Sequence, residues 1–79
     1  MKTHAHGMHY HIRKKDGTEE IYRSMRETSE SLYVDTSLIG KWLTKGKIGP
    51  VASETVDCIV SEKNGVIFRS AVSKDREER

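Results

Sequence analysis

Seventy-nine residues, a third of them charged and 34% apolar, with a net charge of +2, make one small domain. No apolar run approaches the roughly 20 residues of a membrane span, no secretory signal is expected at the N-terminus, and the single cysteine, Cys58, excludes an internal disulfide. The totals point to a soluble, cytoplasmic protein in a reducing setting, with Cys58 as a small buried hydrophobe and with a partner or a homodimer supporting a marginal core.

The first seven residues carry no periodic pattern and are expected to be disordered. Met8, Tyr10 and Ile12 then alternate with His9, His11 and Arg13, the period of a strand. Asp16-Gly17 reads as a two-residue hairpin turn, which sets Ile12 opposite Ile21 and Tyr10 opposite Arg23. Ser24 and Glu27 have the spacing of a capping box and open a helix over about 25–31. Met25, Thr28 and Leu32 lie on one side of it, and Arg26, Glu27 and Glu30 on the other. "LYVD" turns a corner. Asp35 or Thr36 caps a second helix over about 37–45, whose Leu38, Ile39, Trp42 and Leu43 form the buried stripe. Gly46 ends it in the left-handed position, where Lys45 and Lys47 suit the helix dipole.

Gly49 and Pro50 enforce a loop, and two strands follow, over about 55–61 and 66–72. Parity selects a three-residue loop between them, with Gly65 in a left-handed bulge, facing Val60 with Phe68 and Val56 with Val72. Val56, Cys58, Val60, Val66, Phe68 and Val72 then share the face that covers the helices. Residues 73–79 read as a charged tail. The domain, 8–72, is predicted to be α+β: β-hairpin, helix-turn-helix, β-hairpin, with a small antiparallel sheet packed on two short helices.

A DNA-reading helix must be short and amphipathic, with small or polar residues facing outward. With Ile39, Trp42 and Leu43 inward, Thr36, Ser37, Gly40 and Lys41 lie on the outward arc. Lys41, Lys45 and Lys47 cluster, and residues 36–50 contain no acid, a local imbalance that suits phosphate contact. The bland counterpart is a helical hairpin serving only as core.

The stretch "YHIRKKDGTEEIYRSMRETSESLYVDTSLIGKWLTKGK" resembles the modular helix-turn-helix repeat found beside the nuclease domains of phage and intron-encoded homing endonucleases. Ser24 matches that family's helix-opening Ser, and Thr28 or Ser29 takes the place of its small residue, usually Ala. Val34 matches the corner hydrophobe, Ile39 the buried Ile, and Gly46-Lys47 the closing pair. Tyr33 departs from the pattern, standing where the corner usually has Gly, and no nuclease signature is present. The resemblance implies a non-enzymatic DNA-binding protein, without a nuclease domain, whose second helix enters a major groove of duplex DNA. By position, Thr36, Ser37, Lys41 and Lys45 make its contacts. Thr36, Ser37 and Lys41 would reach base edges, and Lys41, Lys45, Lys47, Arg23 and Arg26 the phosphates; such a protein serves transcription regulation.

Other constellations carry less. His4, His6, His9 and His11 lack a nearby carboxylate or Cys, so they read as exposed histidines that help hold an anion below about pH 6.5, and no metal or other cofactor is expected. No nucleophile elbow, phosphate loop or catalytic Cys setting appears, so no catalytic residues are assigned. Tyr10, Tyr22, Tyr33, Trp42 and Phe68 read as partial core. Tyr22, on one face with His9, His11 and Arg13, would make at most a weak stacking platform. The rival function is a small phage-type effector that binds and inhibits a host protein, such as the transcription machinery. Glu19, Glu20, Glu27 and Glu30 and the exposed hairpin edges would serve it.

Overall fold

The computed structural model describes residues 8–74. The expectations for 1–7, with His4 and His6, and for 75–79 lie outside them. In chain order come β1 (Met8–Lys14), β2 (Glu19–Tyr22), α1 (Met25–Leu32), α2 (Thr36–Lys45), a 3-10 turn (Ala52–Glu54), β3 (Val56–Lys63) and β4 (Val66–Val72). The strands form one antiparallel sheet in the order β2-β1-β3-β4, and both helices cover the same face. This is the α+β arrangement the sequence predicts.

The helices follow their local signals. Ser24 caps α1, accepting the Glu27 N–H at 3.0 Å. The Glu27 carboxylate reaches back to the Arg23 N–H, one residue before the cap, at 3.2 Å. Tyr33 ends α1 in the left-handed conformation (φ 60), and its side chain is 94% exposed. This corner needs a left-handed residue, and Tyr33 bears the steric cost. Asp35 precedes α2 without a side-chain cap, and Gly46 closes it at φ 81.

Ile39, Trp42 and Leu43 are buried as expected, whereas Leu38 is on the exposed side. They meet Tyr10, Ile12, Ile48, Val56, Ile59 and Ala71 in one core. Gly49 lets the loop after α2 cross Trp42: a Cβ there would stand 3.1 Å from the indole nitrogen. The buried polar residues of α1 bond to backbone, Thr28 to the Ser24 carbonyl (2.9 Å) and Ser29 to that of Arg26 (2.8 Å), so small side chains let α1 sit close without stranding a hydroxyl.

Both hairpin registers differ from the expected ones. The first loop has three residues, not two. Asp16 accepts the Thr18 N–H (2.9 Å), Gly17 takes φ 95, and Lys14 donates to the Thr18 carbonyl (2.8 Å). Tyr10 therefore faces Tyr22, and Ile12 faces Glu20. Ile21 turns to the face without helices. Tyr22 turns beneath α1, where its hydroxyl donates to Glu20 (2.6 Å) and shares a hydrogen bond with Ser31 (2.8 Å). It joins no histidine platform.

The second loop has two residues, Asn64 (φ 55) and Gly65 (φ 80), both left-handed as that hairpin turn demands. A bulge in β4 then resets the parity: Glu62 faces Ile67 and Ser61 faces Arg69, leaving Phe68 as the extra residue. A second irregularity, opposite Arg13 and Lys14, leaves Asp57 extra in β3 and returns Val56 to the core. The helix-covered face consequently holds Val56, Ile59, Ser61 and Ala71, so that of the six residues expected there only Val56 is buried in the core. Cys58, Val60 and Val72 are half-buried on the opposite face, and Val66, Ile67 and Phe68 are exposed. Ser73, expected in the tail, is fully buried, with its N–H on the Asp57 carbonyl.

Candidate nucleic-acid interface

The surface in question is the side of α2 away from its core residues. With Ile39, Trp42 and Leu43 inward, residues spaced three and four apart align on the opposite side. Ser37, Lys41 and Lys45 form one such row, and Thr44 sits beside Lys41. Thr36, Ser37, Lys41, Thr44 and Lys45 are all exposed, and Gly40 is half-buried. Among the described residues neither Lys41 nor Lys45 pairs with a carboxylate. Nothing in the 36–53 segment is acidic.

Sequence reasoning missed two members of this surface. Thr44 lies at the centre of the outward arc, its hydroxyl on the Gly40 carbonyl (2.9 Å). Arg69 comes from β4, 25 residues away in sequence, and its guanidinium donates to the Thr44 Oγ1 at 3.1 Å. The β4 bulge decides that Arg69 falls on the helix side, so no local sequence signal could have placed it.

The remaining expected DNA contacts divide. Lys47 is half-buried, in the segment that bridges to Val72 just after α2. Arg23 precedes the cap of the other helix and Arg26 lies in its first turn, at the β2 end of the sheet. Arg26 approaches the Glu30 carboxylate at 3.6 Å, and the Arg23 N–H is held by Glu27. The structure thus groups Thr36, Ser37, Lys41 and Lys45 on one surface and leaves Arg23 and Arg26 on another.

The opposite sheet face has a different character. Ile21 (59% exposed) and Ile67 (67%) flank half-buried Val60, Cys58 and Val72. Polar pairs border them: His11 contacts the Glu62 carboxylate, and Arg13 pairs with Glu19 at 2.8 Å. His9 and His11 are half-buried there, not the freely exposed histidines expected. No group of three or more His, Cys, Asp or Glu side chains converges as metal ligands among the described residues, and no helix there is long and apolar enough to cross a membrane.

Set against protein-family models, curated proteins and solved structures, the chain matches none.

Proposed function

We propose that the protein is a small non-enzymatic DNA-binding module of phage or mobile-element type that lays α2 in the major groove of duplex DNA. The observation that carries this reading is the row of Ser37, Lys41 and Lys45 beside Thr44 and Arg69, on a helix with no carboxylate to neutralise it. With its side chains an α-helix is about 10–12 Å across, which a major groove about 12 Å wide admits, and the ten residues of α2 run for roughly 15 Å along it. Lys41, Lys45 and Arg69 meet phosphates, while Thr36, Ser37 and Thr44 are short enough to reach base edges. The left-handed corner at Tyr33 adds support, because it is where the modular helix-turn-helix repeat of homing endonucleases has its Gly.

Titration of random-sequence duplex DNA at two salt concentrations tests the proposal. With about three phosphate contacts, a fourfold rise in salt lowers affinity roughly fortyfold. Lys41→Glu should weaken binding at low salt by at least tenfold. Absence of binding at both salts would reject the reading.

A second reading is supported by the other sheet face, whose exposed Ile21 and Ile67 are uncovered among the described residues. It is a phage-type effector that docks on a host protein, such as a component of the transcription machinery, and blocks it. Capture from host lysate by the wild type, abolished by Ile21→Glu and untouched by Lys41→Glu, would favour this reading.

A further inference from the structure

The β4 bulge gives that hairpin an aromatic side chain the core does not use. Without the bulge, the two-residue turn at Asn64-Gly65 would set Phe68 opposite Ser61. Instead Ser61 faces Arg69, and its side chain locks the arrangement: the Ser61 Oγ accepts the Arg69 N–H at 3.1 Å and donates to the Arg69 carbonyl at 3.2 Å. Ser61 is 2% exposed, so the lock is internal and the bulge is a built feature.

Phe68, the extra residue, is 62% exposed. The Arg69 guanidinium lies 5.7 Å from the centre of its ring, and the same guanidinium bonds to Thr44 on α2. An accessible aromatic ring, its adjacent cation and the lysine row of α2 are therefore joined on one side of the molecule. Apolar surface left in water is a forgone stabilisation, and here a buried serine holds the conformation that exposes it.

We infer that Phe68 stacks on a nucleobase. This rests on the nucleic-acid reading of α2 and narrows its target. Paired, stacked bases show only their edges in a groove, whereas a ring can stack only on an open face. The matching ligand is therefore a DNA duplex carrying an unpaired or unstacked base beside the segment held by α2. The cation next to Phe68 and the basic helix beyond it favour a polyanion with aromatic faces over a lipid surface. An apolar side chain entering a base step is an established way for a protein to hold a deformed duplex.

The test uses the full chain and two probes of equal length: a perfect duplex, and the same duplex with one extra unpaired 2-aminopurine. The wild type should bind the second probe about tenfold more tightly and change its fluorescence on binding. Phe68→Ala should abolish the preference and the fluorescence change while leaving affinity for the perfect duplex within about twofold. Phe68→Tyr, which keeps the ring, should retain both.

Equal wild-type affinity for the two probes, or a preference that survives Phe68→Ala, overturns the stacking role. If Lys41→Glu still weakens both probes, the α2 reading stands without it; binding to neither probe overturns both. Binding to anionic vesicles that Phe68→Ala abolishes, with no effect of that variant on either DNA probe, would assign the ring to a membrane surface instead.

Discussion

α1 and α2 are similar in length and lie on the same face of one sheet, yet their surfaces differ in charge. Around α1, cations and anions occur together: Arg26 with Glu30 at 3.6 Å, and, at the neighbouring β2 edge, Lys14 with Glu20 at 3.7 Å. Around α2, Lys41, Lys45 and Arg69 collect with no carboxylate partner among the described residues. Exposed pairs such as Arg26–Glu30 add little stability, but they quench the local field a polyanion would feel. A net charge of +2 thus hides one mixed surface and one basic surface.

The largest expected effect dismantles the basic surface from behind. Ile39 is fully buried beneath α2, and Ile39→Ala should cost about 2–5 kcal/mol in urea denaturation, a large share of a small domain's stability. An unchanged midpoint would mean that α2 is not anchored through this residue. Smaller changes at α1 sharpen the contrast. Ser24→Ala removes the cap and should cost about 1 kcal/mol while leaving DNA affinity unchanged. Tyr33→Gly should stabilise by up to about 1 kcal/mol, because φ 60 is open to glycine and the exposed tyrosine packs little. A loss of stability there would show that the ring makes a needed contact.

Acid should act chiefly on the α1 side. The Tyr22 hydroxyl, assisted by Lys14, holds Glu20 below its usual 4.5, and the Thr18 N–H, then its hydroxyl, holds Asp16 below 3.8. Carboxylates depressed in the folded state stabilise it fully above their unfolded values, and that stabilisation is lost as pH falls through the lower folded ones. Amide protection in β1 and β2, taken relative to the intrinsic exchange rate at each pH, should therefore fall below about pH 4, before that of β3 and β4. Simultaneous loosening of all four strands would contradict this.

What could be read in advance follows the range of each signal. The Ser24 cap, the Gly46 stop and the stripe of Ile39, Trp42 and Leu43 depend on residues within a turn or two, and they occur where expected. Hairpin parity is less legible, because one residue in the loop decides it. The Asp16–Thr18 contact that closes "KDG" is local, two residues apart, whereas the β4 register is held by Ser61, eight residues from the Arg69 it binds. One residue of slip exchanges faces. It moved Phe68 out of the expected core and brought Arg69 to the site. Lys41 and Lys45 were legible because a helix displays its polar side by spacing alone; Thr44 was legible too, by the same spacing, but carried no charge to draw notice.

The most direct measurement is the slope of log affinity against log salt on one duplex, for three proteins: the wild type, Lys41→Ala/Lys45→Ala, and Arg23→Ala/Arg26→Ala. Removing two phosphate contacts should flatten the slope by about 1.8, so the α2 pair should show that loss and the α1 pair almost none. Equal flattening by both pairs, or a wild-type affinity indifferent to salt, would contradict a DNA surface built on α2.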